Sequence, residues 1–189
     1  MHAPRGIIFD MDGTLIEPEI DFAGMRRALG IPTGDLLHTI ATWGSARQAE
    51  AHRIIEEFEL DAASRMELRP GALELFEVLD ARDVPRAIVT RNMHEVVEML
   101  LAKTSWHVDI VLDRTFTPPK PNPASAQYIL ERWRLEPARA LFVGDSTHDL
   151  RTARAAGVPS CLIKHQHNEA ARAQADRVID RLDELCALF

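Results

Sequence analysis

Two aspartates directly follow the first apolar run of the chain. Residues 6–14 read GIIFDMDGT, so that a single residue separates Asp10 from Asp12. Side chains at positions i and i+2 of an extended segment point the same way, so both carboxylates can face one site. Two like charges this close repel each other unless a cation offsets them. Such a pair is suited to nucleophilic attack, to proton transfer and to binding a divalent cation.

Three later segments place polar residues after predicted strands. In chain order they are Thr90, Arg91 and Asn92 in IVTRN, Lys120 in PPKPNP, and Asp145, Ser146 and Asp149 in VGDSTHDL. In an open parallel sheet, ligands bind beyond the carboxyl ends of the strands. We therefore expect these carboxylates, hydroxyls and the ammonium group to meet Asp10 and Asp12 at one edge of a sheet.

Short apolar runs alternate with longer amphipathic segments, which indicates the sheet that would position these groups. The runs are continuous, as in parallel strands covered on both faces, and the alternation implies right-handed crossovers. The predicted class is α/β, with a doubly wound open parallel sheet. The predicted strands are 6–9, 86–90, 108–112, 140–144, 159–163 and 177–179, the helices lie near 71–82, 93–103, 123–134 and 147–156, and a further helix ends the chain.

One interval, from about residue 21 to residue 66, contains no convincing strand. It has three helical segments, for which Asp21, Asp35 and Ser45 are the expected N-caps. We interpret it as a small helical insertion after the first strand. The predicted organisation is a core domain of residues 1–16 and 68–189 and a helical cap of residues 17–67.

The composition argues against several classes of protein. The 189 residues carry a net charge of −7, which argues against a nucleic-acid binder, because phosphate backbones are held by clustered Lys and Arg. No apolar stretch approaches 18 residues, so no membrane span is expected. The two cysteines lack a CxxC spacing, and a reduced, cytoplasmic setting is the default expectation. These features leave the oligomeric state open.

FDMDGT, IVTRN, the lysine of KPNP, and GDSTHD occur in this order between residue 6 and about residue 163. Together they resemble the four motifs of the haloacid dehalogenase superfamily of phosphohydrolases. The helical insertion is similar to the small C1-type cap of that superfamily, and its phosphoglycolate phosphatase-like branch is the nearest resemblance. The resemblance implies a Rossmann-like core, a Mg²⁺ cofactor and a small phosphate ester as substrate.

The resemblance also implies roles for individual residues. Asp10 would be the nucleophile that forms an aspartyl-phosphate, and Asp12 the general acid and base. Lys120 would be the third catalytic residue, neutralising the charge on Asp10 and on the phosphate together. The residues implied or considered for binding phosphate oxygens are Thr90, Arg91, Asn92 and Lys120. The implied Mg²⁺ ligands are Asp10, the backbone carbonyl of Asp12, and Asp145, with Asp149 in support.

Simpler interpretations exist for several of these residues. Asp145 could be an N-cap, and Asp149 could only complement a helix dipole. His165 and His167, in KHQHNE, are more typical of a surface loop than of a metal site. For the whole chain, a phosphomutase, a phosphate-sensing module that is not an enzyme, and a receiver-like domain are the alternatives. The intact Asp10 and Asp12 favour catalysis over sensing.

Overall fold

Six parallel strands form a single sheet in a computed structural model that describes residues 3–17 and 20–189. The strands are β1 (Gly6–Phe9), β2 (Arg86–Val89), β3 (Ile110–Leu112), β4 (Ala140–Gly144), β5 (Ser160–Ile163) and β6 (Arg177–Ile179). Their order is β3-β2-β1-β4-β5-β6, and every neighbouring pair is parallel. The strand order reverses between β1 and β4, which makes their carboxyl ends the expected ligand site.

Helices cover both faces of this sheet. The helices around it are α4 (Ala72–Ala81), α5 (His94–Thr104), α6 (Ala124–Trp133) and α7 (Thr147–Ala156), and those before α4 are α1 (Phe22–Leu29), α2 (Leu36–Ala41) and α3 (Ser45–Ser64). Three short 3-10 helices are also present, at Pro137–Arg139, Glu169–Gln174 and Leu182–Leu188. None of the helices in the described part of the chain is long and apolar enough to cross a membrane.

Adjacent residues of β1 show why its apolar run is continuous. Ile8 packs in a cluster with Ile129 of α6 and Ala153 of α7. The ring of Phe9 stacks on Phe76 of α4, with the ring centroids 5.5 Å apart. Successive side chains of a strand point to opposite faces, so a strand covered on both sides needs an apolar residue at every position. The predicted doubly wound α/β fold is confirmed.

The chain divides into two compact units, Met1–Glu17 with Glu67–Phe189, and Pro18–Met66. The second unit consists of α1, α2 and α3 around its own apolar cluster, which includes Met25, Leu29, Ile40 and Ile55. The amphipathic pattern of each helix supplies this cluster, because residues three and four apart share a helix face.

Asp21 and Asp35 cap the first two of these helices as expected, each accepting a backbone N–H at 2.8 Å and 2.9 Å respectively. The expectation for Ser45 is wrong. The backbone N–H of Gln48 donates to the carbonyl of Gly44 at 3.0 Å, so Gly44 is the N-cap and Ser45 is already helical.

Two further details differ from the sequence-based prediction. β3 begins at Ile110 rather than at residue 108, and the carboxylate of Asp109 accepts the backbone N–H of Arg86 at 2.8 Å. A side chain thus satisfies a donor that a longer strand would have paired through its backbone. The last helix of the chain, Leu182–Leu188, has 3-10 rather than α geometry.

Candidate active site

Asp10 lies directly after the central strand β1. Its backbone N–H donates to the carbonyl of Val143 at 2.9 Å, which continues the ladder between β1 and β4, and its side chain is 11% exposed. The chain then turns sharply at Gly13, where φ is +74°. A Cβ atom on Gly13 would lie 2.3 Å from Oδ2 of Asp145, so only glycine allows this turn to approach the end of β4 so closely.

Lys120 connects two of the carboxylates. Its Nζ atom lies 2.6 Å from Oδ1 of Asp10 and 2.7 Å from Oδ1 of Asp149, and its side chain is 4% exposed. Burial lowers the pKa of Lys120, but the charges of Asp10 and Asp149 outweigh this and raise it, so the lysine stays protonated. Burial and the nearby charge of Asp149 raise the pKa of Asp10, and Lys120 opposes this rise.

Asp149 has partners for both of its carboxylate oxygens. Oδ1 accepts from Lys120, and Oδ2 accepts from the backbone N–H and the hydroxyl of Ser146 at 3.0 and 2.6 Å. Ser146, not Asp145, is the N-cap of α7, and it forms a capping box with Asp149. A Cβ atom on Gly144 would lie 2.3 Å from the Cβ of Asp149, so the end of β4 packs directly against this side chain.

The carboxylate of Asp12 is held by Asn92 rather than by Lys120. The side-chain amide of Asn92 lies 3.2 Å from both carboxylate oxygens of Asp12, and Asn92 is 4% exposed. The hydroxyl of Thr90 accepts the backbone N–H of Asn92 at 3.0 Å, which ties the end of β2 to this amide. Burial raises the pKa of Asp12, and the hydrogen bond from Asn92 partly opposes the rise. The phosphate contacts expected of Thr90 and Asn92 remain predictions.

Arg91 follows Thr90 and is partly buried. Its Nη1 atom lies 3.2 Å from Nδ1 of His148 on α7, and its carbonyl accepts from Nε of Arg114 at 3.1 Å. The expected phosphate contact of Arg91 is likewise still a prediction. The structure adds two basic neighbours, His148 and Arg114, to the end of β2.

His165 differs from its expected surface position. Its side chain is 20% exposed, and its Nε2 atom lies 2.8 Å from Oδ2 of Asp145. The side chain of Asn168 donates to the carbonyl of Asp145, also at 2.8 Å. Both residues follow β5, and the rule that strand ends define the site could have found them had it been applied to the fifth strand as well.

Three carboxylates could share a cation. One oxygen from each of Asp10, Asp145 and Asp149 lies within 4.8 Å of the others. Hard oxygen donors of this kind suit Mg²⁺, which usually binds one or two carboxylates and keeps several waters. Because Lys120 and Ser146 already occupy both oxygens of Asp149, Asp10 and Asp145 are the better candidates for direct ligands.

Comparisons with known proteins agree with this arrangement. Residues 4–157 match the haloacid dehalogenase-like hydrolase family. A haloacid dehalogenase-like hydrolase domain-containing protein of Arabidopsis thaliana is 36% identical over 172 residues, which cover 84% of this chain and 70% of the relative. The phosphoglycolate phosphatase of Rhodospirillum rubrum is 28% identical over 196 residues, covering 87% of this chain and 81% of that enzyme.

The fold is similar to that of solved relatives. The structure of CbbY from Rhodobacter sphaeroides in complex with phosphate has a TM-score of 0.70 and 24% identity, and covers 96% of each chain. The family match over residues 4–157 confirms the resemblance that the four motifs indicated. The chain belongs to the haloacid dehalogenase-like hydrolases, and phosphoglycolate phosphatases are among its relatives.

Proposed function

We propose that the protein hydrolyses a phosphate monoester of a small metabolite, with Mg²⁺, through an aspartyl-phosphate on Asp10. The observation that carries this proposal is the separate environment of the two aspartates. Asp10 shares a buried lysine with Asp149, whereas Asp12, two residues later, is held by an amide. Two carboxyl groups in different environments can take different roles in one reaction.

Asp10 is suited to be the nucleophile when cations surround it. Lys120 holds Oδ1, which leaves Oδ2 to attack the phosphorus atom. Burial raises the pKa of Asp10 and would favour its unreactive, protonated form, so the positive charge of Lys120 is needed to keep the carboxylate ionised. As the bond from Oδ2 to phosphorus forms, the bond from phosphorus to the leaving oxygen breaks.

Asp12 would supply and recover the proton. The raised pKa of Asp12 favours a carboxylic acid that can protonate the leaving oxygen. In the second step a water molecule attacks the phosphorus of the aspartyl-phosphate, Asp12 takes its proton, and the bond between Asp10 and phosphorus breaks. Asn92 would hold the carboxyl group of Asp12 in place through both steps.

Asp10, Asp145 and the backbone carbonyl of Asp12 would hold the Mg²⁺ ion, with Asp149 supporting them through Lys120. When bound, the ion would offset the negative charge on the phosphoryl oxygens. The cluster of carboxylate oxygens within 4.8 Å supports this assignment. Lys120, Thr90, Arg91 and Asn92 would contact the remaining phosphate oxygens.

The relatives support the proposed substrate class. Phosphoglycolate phosphatases are among the similar proteins, which supports a small phosphorylated metabolite. The helical unit would act as the cap that the sequence predicts for residues 17–67. A cytoplasmic location belongs to the same proposal.

Phosphate release from a panel of phosphate esters, phosphoglycolate included, tests this proposal. The comparison uses wild type, Asp10→Asn and Asp83→Asn, with Mg²⁺ or with EDTA. Asp83 is an exposed residue before β2, so its change is a matched control at the opposite edge of the sheet. We expect activity that needs Mg²⁺, disappears in Asp10→Asn and is unchanged in Asp83→Asn.

Detection of the intermediate separates this mechanism from others. A phosphoryl group trapped on Asp10 by rapid quenching and released by hydroxylamine would support it. Full activity of Asp10→Asn would contradict it. Transfer of the phosphoryl group to a second hydroxyl of the substrate, rather than to water, would identify a phosphomutase instead.

A further inference from the structure

Hydrogen bonds connect the loop after β5 to the end of β4. The buried Asn168 donates from its side chain to the carbonyls of both Asp145 and Ile163, each at 2.8 Å. The Oδ1 atom of Asn168 accepts the backbone N–H of His165 at 3.2 Å. One amide therefore joins the backbone after β4 to the backbone after β5, so that hydrogen bonds tie the start of the loop to Asp145.

A second anchor comes from the segment that follows the helical unit. Arg69 is 8% exposed and donates to the carbonyl of Lys164 at 2.8 Å, while it also pairs with Glu17 at 2.8 Å. The backbone N–H of Lys164 donates to the carbonyl of Ile179 at 2.9 Å, which extends the ladder between β5 and β6. The residue directly before His165 is thus held through both its backbone N–H and its backbone carbonyl.

The hydrogen bonds of the His165 ring define its tautomer. The Nδ1 atom accepts the backbone N–H of His167 at 3.2 Å, so Nδ1 carries no proton. In a neutral imidazole the proton is then on Nε2, which lies 2.8 Å from Oδ2 of Asp145. His165 is therefore a hydrogen-bond donor to this carboxylate oxygen.

We propose that His165 is a positioning residue that fixes the carboxylate of Asp145 for Mg²⁺. The donor on Nε2 holds Oδ2, which selects one orientation of the carboxylate and would leave Oδ1 for the cation. The proposal rests on the proposed Mg²⁺-dependent function. Residues that orient a metal ligand typically change metal affinity about 10- to 100-fold when they are removed.

The test measures binding of Mg²⁺ to the metal-free full-length protein by isothermal titration calorimetry. His165→Ala removes the donor, whereas His165→Gln can place an amide N–H near the position of Nε2. His167→Ala is the matched control, because it removes an exposed imidazole two residues away and keeps the backbone N–H that orients His165.

We expect His165→Ala to raise the Kd for Mg²⁺ about 10- to 100-fold, with His165→Gln much closer to wild type and His167→Ala unchanged. The Mg²⁺ concentration for half-maximal phosphate release should shift by the same factor, while kcat at saturating Mg²⁺ recovers. A general loss of folding would instead lower kcat at every Mg²⁺ concentration. If His165→Ala does not fold, His165→Asn, whose shorter side chain cannot reach Oδ2, takes its place.

Three results would overturn the proposal. An unchanged Kd in His165→Ala would show that Asp145 needs no such support. An equal and complete loss of binding in His165→Ala and His165→Gln would show that His165 ligates the ion itself. Wild-type protein that hydrolyses phosphate esters without binding Mg²⁺ would refute the metal in the proposed function, and the role of His165 with it.

Discussion

Replacing Lys120 by methionine removes a positive charge that Asp10 and Asp149 share. Methionine keeps a similar length and apolar character, so the change removes the ammonium group with little loss of packing. The two carboxylates are then left buried and facing each other without a cation. We expect the metal-free protein to become much less stable at pH 7.

The magnitude follows from the contacts. At an effective dielectric constant of about 20, the Coulomb attraction between the ammonium group of Lys120 and one carboxylate in contact with it is about 6 kcal/mol. Taking the three charged groups out of water cancels several kcal/mol of this attraction. When only the lysine is removed, the carboxylates still bear their own desolvation cost but have lost the attraction. Removing one partner of a buried ion pair costs about 3–5 kcal/mol, which is the expected loss in the free energy of unfolding for Lys120→Met.

The chain provides a control with the same contact distance. Lys164 lies 2.6 Å from Asp180, as Lys120 does from Asp10, but the Asp180 side chain is 68% exposed. Exposed ion pairs contribute about 0–1 kcal/mol, so Lys164→Met should change the stability by no more than that. Urea unfolding in EDTA, followed by far-UV circular dichroism, measures both variants under identical conditions.

Adding Asp149→Asn extends the test. In the wild-type background this change leaves Lys120 with one charged partner and should destabilise the protein. In the Lys120→Met background the same change removes a negative charge that repels Asp10. The free-energy change of the double variant should therefore differ from the sum of the two single changes by about 1–3 kcal/mol. A loss below about 1 kcal/mol for Lys120→Met, no larger than a surface pair gives, would refute the buried ionic network on which the proposed nucleophile depends.

Three further predictions concern single residues. Asp12→Asn should lower kcat about 10²- to 10⁴-fold on alkyl phosphates. The rate of phosphoenzyme formation from p-nitrophenyl phosphate should fall much less, because its leaving group needs little protonation. Equal losses on both substrates would contradict the acid role. Gly144→Ala should lower both stability and activity because its Cβ would lie 2.3 Å from the Cβ of Asp149. Gly44→Ala, with no atom within 4 Å of the added Cβ, should lower the melting temperature much less, because it loses only the preference of an N-cap for glycine over alanine. Asp176→Ala should cost about 1–3 kcal/mol at pH 7, because it leaves the buried N–H and hydroxyl of Ser160 without their acceptor. Hydrogen bonds from Ser160 lower the pKa of Asp176, so the stability that Asp176 contributes is present above pH about 4 and is lost as the pH falls through the lowered pKa. Urea unfolding of wild type and Asp176→Ala at several pH values measures this contribution. A difference in stability between the two proteins that persists unchanged at pH 2 would contradict the assignment.

The elements of the α/β core could be predicted from local patterns. The helical segments near 123–134 and 147–156 correspond to α6 and α7 within a residue at each end, because apolar residues three and four apart mark a helix face wherever it packs. The N-cap at Asp35 followed from the same local chemistry. Ser45 was assigned wrongly because Gly44 and Ser45 are both acceptable N-caps, and the choice depends on which carbonyl accepts from Gln48.

The sequence by itself determined the family, the edge of the sheet at which the site lies, and the residue types that meet there. Motif order and the apolar runs are enough for this, since strand ends of a parallel sheet share an edge. Only the tertiary structure decided the pairings: Lys120 with Asp10 and Asp149, Asn92 with Asp12, and His165 with Asp145. The partners of the first contact are 110 residues apart, and no local pattern encodes a hydrogen bond across that separation. Such a contact depends on distances of a few tenths of an ångström, which the packing of the sheet, the turn at Gly13 and the loop after β5 set together.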